Sequence, residues 1–420
     1  MISLSSVWRK RYSYVTVLDI GTAKICGLMV RMDMGKPVEV IGCGYAPAKG
    51  IRGGAIVDLD KATECVGQVL QQIERQADRQ VKSVVINISS SQMRSSHLYR
   101  EKEIPEGRQV TTADVKSLVD EALAACLQTG EEVLHAFPLG YVLDKEQGCV
   151  DPRGLDARIL GAHIHVITIP EAQLRNLVLV LDRCHVSVET KVATPYAAAL
   201  AVLSDEEKEI GATAIDMGAG ATAVALFING GLVHIGSLPV GGNALTRDIA
   251  QGLSTSLATA ERLKTLNGAA FRSPKDELER LIVPVIGEEE GACIQIPRAD
   301  LIAIIVPRLE EILEGVGRIL DEVPAFGVAA RRLVVCGGGS ELQGLKEKTA
   351  ALLEGNVRVG TAPEIKNLPN QFDSYTFLVC IGLLCYVSDS ERRKADMSQR
   401  KQIMPKGRLG KVIQWIMNNF

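Results

Sequence analysis

The sequence feature that most constrains the fold is a repeated turn, in which an apolar strand ends in Asp, an apolar residue and Gly. It occurs as Leu18-Asp19-Ile20-Gly21-Thr22 and again as Ile215-Asp216-Met217-Gly218-Ala219-Gly220. In both places another strand follows, so each turn is predicted to close a hairpin. Small residues there let backbone N–H groups approach phosphate oxygens, and a carboxylate at the strand end can hold a hydrated Mg²⁺. Two such turns facing each other would clamp the β- and γ-phosphates of a nucleotide.

A third glycine-rich segment, Cys336-Gly337-Gly338-Gly339-Ser340, follows a predicted strand and precedes a helix predicted from Ser340 or Glu341 to Leu353. Its glycines permit close approach of a nucleotide, and a helix N-terminus favours an adjacent phosphate. Each turn alone is weak, because Asp-x-Gly and triple glycine are common in ordinary loops. Their order along the chain and their strand contexts together predict a nucleotide site.

Several other classes are excluded or disfavoured. No G-x-x-x-x-G-K-[ST] segment occurs, which excludes a P-loop NTPase, and the protein-kinase H-R-D and D-F-G motifs are absent. The formal net charge of −3 and the 4% aromatic content argue against nucleic acid as the main partner. The ten cysteines include no C-x-x-C pair and are interpreted as reduced, buried residues. His163 and His165 would share a strand face and are interpreted as structural or surface residues.

The three turns resemble the actin/Hsp70/sugar-kinase superfamily over residues 14–387. Within that superfamily, three stretches resemble the FtsA family of bacterial cell division proteins. They are Val17–Lys24; then Val133–Pro138 with Tyr141, Asp151–Leu155 and His163–Thr168; and finally Pro239–Asn243 with Ala260–Lys264.

This resemblance implies an α/β actin-like fold. Two ribonuclease-H-like domains would enclose a nucleotide cleft, with an inserted α+β subdomain and a C-terminal amphipathic helix. The expected parts are subdomain 1A at 14–86 and 166–205 with 380–387, inserted subdomain 1C at 87–165, subdomain 2A at 206–240 and 331–379, helical subdomain 2B at 241–330, a flexible linker at 388–405 and a membrane-targeting helix at 406–420.

The turns and the resemblance together give a predicted ATP site with Mg²⁺. Asp19 and Asp216 would hold the metal through water. Glu261 and Lys264 would be about one helical turn apart, and in the family a pair at this spacing lies near the ribose and adenine. The predicted ATP-binding residues are Asp19, Gly21, Thr22, Lys24, Asp216, Gly218, Gly220, Thr222, Glu261, Lys264, Gly337, Gly338 and Gly339.

The sequence departs from the family at Ala221, where a hydroxyl residue is usual. Thr222 comes next, but adjacent side chains of a strand point to opposite faces, so it does not obviously substitute. No general base is evident and no catalytic residue is assigned. At most slow ATP hydrolysis is therefore expected.

The last fifteen residues are amphipathic and basic. No apolar run is long enough to span a membrane, so any membrane contact is predicted to be peripheral. A helix docked on the protein's own core is the alternative, but the polar segment that precedes the tail favours an interfacial membrane helix. The predicted membrane-contacting residues are Lys406, Arg408, Leu409, Lys411, Val412, Ile413, Trp415, Ile416, Met417 and Phe420.

The resemblance implies a cell division protein on the cytoplasmic face of the bacterial inner membrane, at the division site. It would polymerise with itself, bind the C-terminal peptide of the tubulin-like FtsZ near Arg308 and Glu311, tether the FtsZ ring to the anionic membrane and help to recruit later division proteins. One alternative is an actin-like scaffold of a pilus or secretion system, similar to PilM, against which the C-terminal tail argues. A small-molecule kinase is a second alternative, but no convincing catalytic Asp is found.

Overall fold

The computed structural model describes residues 12–33, 38–287, 292–323, 332–363, 365–369, 375 and 377–401, with side chains from residue 13 to residue 389. Its strands are β1 Tyr12–Ile20, β2 Lys24–Asp33, β3 Glu39–Pro47, β4 Ile51–Arg52, β5 Ala55–Ile56, β6 Ser83–Ile88, β7 Arg94–Glu103, β8 Glu131–Leu143, β9 Glu146–Cys149, β10 Ile159–Pro170, β11 Ser187–Ala193, β12 Ala212–Met217, β13 Thr222–Ile228, β14 Gly231–Leu238, β15 Arg280–Pro284, β16 Cys293–Pro297, β17 Arg332–Cys336 and β18 Asn356–Val359. Its α-helices are α1 Leu59–Ala77, α2 Thr112–Cys126, α3 Glu171–Arg183, α4 Thr194–Val202, α5 Asp205–Ile210, α6 Gly242–Gly252, α7 Leu257–Asn267, α8 Arg298–Asp321, α9 Leu345–Leu353 and α10 Leu378–Lys401.

Two five-stranded sheets have the same arrangement of strands. The first has the order β3-β2-β1-β6-β11 and the second has the order β14-β13-β12-β17-β18. In each sheet the first three strands are antiparallel and the last two are added in parallel. The strands that end in the Asp-bearing turns, β1 and β12, lie at the centre of their sheets. The duplication in the sequence therefore corresponds to a duplicated fold.

Apolar helices join the two halves. A single buried cluster contains Val17 and Leu28 from the first sheet, Ala214 and Phe227 from the second, and Ala197 from α4. The apolar faces of α1 and α3 cover the other side of the first sheet, and α6 to α9 cover the second. Since α4 and α10 pack between the sheets, they carry the hydrophobic contact that unites the molecule.

The packing of α10 on α4 depends on a glycine. A Cβ atom at Gly382 would lie 1.8 Å from the carbonyl oxygen of Ala197, so a side chain cannot be accommodated without moving one helix. Glycine lets the two helix backbones touch at this point.

The insertion is a four-stranded sheet, β7-β10-β8-β9, with α2 on one face. Thr111 caps α2 through a reciprocal pair of hydrogen bonds with Asp114, which explains why the helix begins there. The predicted inserted α+β subdomain is confirmed.

The structure differs from the sequence prediction in three places. The helix expected from Ser340 or Glu341 is a 3₁₀ turn, Gly338–Glu341, and α9 begins only after Gly344, whose φ of +81° interrupts the helix. The helical part after residue 241 also contains the β15–β16 hairpin.

The third difference concerns the segment 388–405, which was predicted to be a flexible linker. Here α10 continues through Lys401, and the rest of the segment lies outside the described residues. Glu, Arg, Lys, Ala, Met and Gln dominate residues 391–401, and these residue types favour a helix even without an apolar face. None of the helices in the described ranges combines the length and apolarity needed to cross a bilayer.

Histidines fill the contact between the insertion and β14, the edge strand of the second sheet. His165 is fully buried, and its Nδ1–H donates to the carbonyl of Leu232 at 2.8 Å. Its Nε2 therefore accepts from the Ser95 hydroxyl at 2.7 Å. His97 stacks on His165 with ring centroids 5.0 Å apart, and His234 approaches Ser95 at 3.3 Å. Burial, reinforced by neighbouring histidines, lowers the pKa of His165 to about 3.

This contact is expected to weaken in acid. Because the pKa of His165 falls from the ordinary 6.5 to about 3 on folding, the unfolded chain binds more protons between those values. The free energy of unfolding should therefore fall as the pH drops through this window, by up to about 1.4 kcal/mol per pH unit from this residue. In His165→Asn, which keeps an N–H for Leu232, that part of the loss should disappear in urea denaturation curves measured between about pH 7 and 5.

The matched control is His163→Asn, on the same strand but exposed. It should leave the pH dependence of unfolding unchanged. Parallel stability curves for wild type and His165→Asn would contradict the assignment of acid sensitivity to the buried ring.

Candidate functional site

The ends of β1 and β12 meet in a cleft between the two halves. The structure brings nine of the thirteen predicted ATP-site residues to the wall of this cleft; they are Asp19, Gly21, Thr22, Lys24, Asp216, Gly218, Gly220, Gly337 and Gly338. The other four, Thr222, Glu261, Lys264 and Gly339, are not part of its lining.

The two Asp-bearing turns have the same backbone geometry. The N–H of Gly21 donates to the carbonyl of Lys24 at 3.0 Å, and the N–H of Gly218 donates to the carbonyl of Ala221, also at 3.0 Å. A Cβ atom on either glycine would come within 3.0 Å of that same carbonyl oxygen. Each turn therefore favours glycine where its hairpin reverses.

The turns also touch each other across the cleft. A Cβ atom at Gly220 would lie 2.5 Å from the Thr22 hydroxyl oxygen and 2.9 Å from its Cβ. The backbone of the second turn thus packs directly on a side chain of the first. The cleft is closed at this point by contact between the two halves, with no bulky residue between them.

Two carboxylates lie at the base of the cleft. Asp19 is buried and accepts hydrogen bonds from Asn87 Nδ2 at 2.7 Å and more weakly from Cys26 Sγ at 3.7 Å. Burial raises the pKa of Asp19 to about 6, with Lys24 acting in the opposite direction. Burial also raises the pKa of Asp216 to about 6, and the negative charge of Asp19 adds to this shift.

This pair fits a hydrated divalent cation. Two carboxylates that repel each other gain from a positive ion between them, and Mg²⁺ retains several water ligands when only one or two carboxylates bind it. Among the described residues no cluster of three or more His, Cys, Asp or Glu side chains is found, so waters and phosphate oxygens would have to complete the coordination. Asp19 and Asp216 are the residues that would hold it.

In the third glycine loop, residues 337–339, each glycine has a different structural role. Gly337 has a φ of +79°, and a Cβ there would lie 2.3 Å from Asp216 Oδ1, so only glycine fits. Gly338 faces open space in the cleft. Gly339 packs on Met217 of β12, where a Cβ would lie 2.8 Å from the Met217 Cβ, so its part is packing rather than lining.

Glu261 and Lys264 lie behind the second turn. Lys264 Nζ donates to Glu261 Oε2 at 2.7 Å and to the carbonyl of Gly242 at 3.2 Å. The N–H of Gly242 in turn donates to the carbonyl of Gly218 at 3.0 Å. The observed contacts of this pair therefore support the turn, and its contact with ribose and adenine stays a prediction.

Thr222 is fully buried and its hydroxyl donates to the carbonyl of Val240 at 2.9 Å. It is not among the residues that line the cleft, so its predicted contact with ATP stays a prediction, and its hydroxyl does not replace the one missing at Ala221.

Sequence reasoning missed a polar group on the first half. Asn87, Ser89 and Thr194 all line the cleft, and Ser89 and Thr194 share a hydrogen bond of 2.7 Å. The available signal was Asn87 itself, an amide within the apolar strand Ser83–Ile88. Buried amides in such strands are unusual unless they are fully hydrogen-bonded.

Two further sites were predicted, for peptide binding and for membrane contact. On α8, Arg308 pairs with Asp248 at 2.7 Å and with Glu311 at 2.5 Å. These contacts do not test a role in peptide binding. The predicted membrane-contacting residues 406–420 lie outside the described residues.

Comparison with known proteins identifies the family. The family model described as "Cell division protein FtsA" matches residues 213–382, and that described as "SHS2 domain inserted in FTSA" matches residues 90–168. The cell division protein FtsA of Rhizobium meliloti strain 1021 is 35% identical over 427 residues, covering 98% of this chain and 96% of that protein.

Solved structures show the same fold at lower identity. The PilM–PilN type IV pilus biogenesis complex matches with a TM-score of 0.64 and 16% identity, covering 88% of this chain and 97% of that one. MreB 5 of Spiroplasma citri bound to AMPPNP matches with a TM-score of 0.54 and 14% identity, covering 91% and 98%. The predicted actin-like fold is confirmed by these likenesses, which concern the fold alone. The near full-length similarity to the Rhizobium meliloti protein and the two family matches show that this chain belongs to the FtsA family of cell division proteins.

Proposed function

We propose that this cell division protein binds ATP with Mg²⁺ in the cleft between its halves. The observation that carries the proposal is the pair of equivalent glycine turns that face each other, each with a buried carboxylate at its strand end. Backbone N–H groups of the turns would bind phosphate oxygens, and the Asp19 and Asp216 carboxylates would hold the hydrated cation between them. MreB 5 of Spiroplasma citri, which shares the fold, is described as bound to AMPPNP, an ATP analogue.

We propose that hydrolysis is slow. Ala221 brings no hydroxyl to the second turn, and the neighbouring Thr222 hydroxyl is held by Val240 inside the protein. Among the described residues that line the cleft there is no His or Glu, and the two carboxylates there are assigned to the cation. Without a positioned general base, proton removal from an attacking water has little assistance.

We further propose that assembled copies tether the tubulin-like FtsZ ring to the cytoplasmic face of the inner membrane and help to recruit later division proteins. The support is membership of the FtsA family together with the basic, amphipathic pattern of residues 406–420. One such helix would bind weakly and reversibly, whereas a filament would multiply the attachment by avidity. The FtsZ C-terminal peptide would bind near Arg308 and Glu311, where the Asp248 and Glu311 carboxylates already hold the arginine in place.

The nucleotide proposal is tested by titration of a fluorescent ATP analogue in the presence of Mg²⁺. Asp216→Ala removes one of the two carboxylates and should weaken binding by more than about tenfold, which corresponds to about 1.4 kcal/mol. Asp205→Ala removes an exposed carboxylate on α5 and should leave the affinity unchanged. Equal affinities for wild type and Asp216→Ala would remove this residue from the site.

The membrane proposal is tested by sedimentation with anionic vesicles. A chain lacking residues 406–420 retains all of α10 and should stay folded and soluble but no longer sediment with the vesicles. In the full chain, Ile416→Glu places a charge on the apolar face, whereas Asn418→Glu places the same charge on the opposite face. Ile416→Glu should reduce vesicle binding far more than Asn418→Glu, since burying a charge in the bilayer is costly.

High salt should weaken the wild-type interaction only in part, because screening acts on the basic residues and leaves apolar burial unaffected. The membrane proposal fails if the shortened chain still sediments with vesicles. It fails equally if the shortened chain aggregates, because the tail would then be part of the folded core.

A further inference from the structure

We propose that Asn87 is a positioning residue of the cation site, which holds the Asp19 carboxylate in one orientation and links it to Thr194 at the start of α4. The inference rests on the proposed binding of nucleotide and Mg²⁺. It concerns how the first half of the molecule prepares its carboxylate.

The contacts of the Asn87 amide define its orientation. Its Oδ1 accepts from the backbone N–H of Ile20 at 2.8 Å, and its Nδ2 donates to Asp19 Oδ1 at 2.7 Å and to Thr194 Oγ1 at 3.1 Å. An amide N–H can only donate and a carboxylate can only accept, so the oxygen and nitrogen of Asn87 cannot be exchanged. One acceptor atom and both donor hydrogens of the side chain are used.

The position of Asn87 in the fold explains why these bonds are rigid. The residue is 1% exposed and lies one residue before the end of β6, which pairs in parallel with both β1 and β11. An apolar side chain would suit a buried strand better, and an amide is tolerated there only because all of its partners are protein groups. The amide therefore bridges the end of β1, the end of β6 and the start of α4.

The Asp19 carboxylate depends on this bridge. Its only other side-chain hydrogen bond among the described residues is the weak 3.7 Å contact from Cys26 Sγ. The hydrogen bond from the fixed Asn87 amide holds the Asp19 carboxylate in one orientation even without a cation, so the carboxylate need not reorient when a cation binds. Residues that orient metal ligands in this way typically change metal affinity by about 10- to 100-fold when they are replaced.

Thr194 extends the same network into the cleft. Its hydroxyl accepts from Asn87 and shares a 2.7 Å hydrogen bond with Ser89, and both hydroxyl residues line the cleft beside Asp19. Removing the Thr194 hydroxyl leaves the bond between Asn87 and Asp19 in place. The two residues can therefore be separated by mutation.

The experiment measures the Mg²⁺ concentration that gives half-maximal binding of a fluorescent ATP analogue, and separately the affinity for the same analogue in EDTA. In Asn87→Ala the half-maximal Mg²⁺ concentration should rise by about 10- to 100-fold, while the affinity in EDTA stays within about twofold. Thr194→Val, the matched variant that spares the bond to Asp19, should raise the Mg²⁺ requirement by a smaller factor than Asn87→Ala does. Thermal denaturation of the ligand-free proteins reports whether each variant is folded.

A second variant keeps the test decisive if Asn87→Ala does not fold. Asn87→Thr suits a strand and retains a hydroxyl, but this shorter side chain cannot satisfy Ile20 and Asp19 together, so the same rise in Mg²⁺ requirement is expected. A folded Asn87→Ala or Asn87→Thr protein with the wild-type Mg²⁺ requirement overturns the proposal. So does an equal loss of affinity with Mg²⁺ and in EDTA, because a purely structural role would affect both.

The outcome for wild type separates this inference from the function on which it rests. If wild type binds the analogue in a Mg²⁺-dependent way and Asn87→Ala requires no more Mg²⁺ than wild type, the positioning role alone is wrong. If wild type shows no Mg²⁺-dependent binding, the proposed function is wrong and this inference is wrong with it.

Discussion

The direct contact between two glycine turns is the constraint on which the rest of the structure depends. Gly220 packs on the Thr22 side chain, and any Cβ at this position would force the turns apart. Each turn closes the central strand of its own sheet, so the distance between the turns sets the distance between the halves. The same approach brings Asp19 and Asp216 close enough for their charges to interact in a buried setting. Holding the two carboxylates ionised in this buried place lowers the stability of the fold, and either protonation or a bound cation would offset that loss.

The burial of these two carboxylates makes the stability of the protein depend on pH in a definite direction. Both carboxylates have a pKa of about 6 in the fold, above the ordinary 3.8. The cost of ionising them in the fold is therefore absent well below pH 3.8, grows between about pH 3.8 and 6 and stays constant above that range. At neutral pH the ligand-free protein carries that cost in full. A bound cation would remove it, so the site and the stability of the molecule are coupled.

The parts of the fold that depend on short, repeated sequence patterns could be predicted from the sequence. The parts that depend on contacts between distant residues could not. Asp-apolar-Gly at a strand end needs only local rules, and both hairpins are present with equivalent hydrogen bonds. Gly344 shows the reverse: its left-handed φ breaks a helix that periodicity alone would continue. Asn87 could have been noticed as an amide in an apolar strand, but its partners Asp19 and Thr194 are 68 and 107 residues away in the chain. Pairing across such separations is a property of the fold and not of any local pattern.

The backbone contact between Gly382 of α10 and Ala197 of α4 has a geometric consequence for the rest of α10. At residue 382 α10 crosses α4, and from there to Lys401 it is about 29 Å long at about 1.5 Å per residue. A tilt of about 10° at that crossing would swing the far end of the helix by about 5 Å. The part of α10 before the crossing is short, because the helix begins at Leu378, and Leu378 and Val379 line the cleft. Because no side chain separates α10 from α4 at residue 382, this close contact fixes how the two helices cross and with it the direction of a helical segment about 29 Å long.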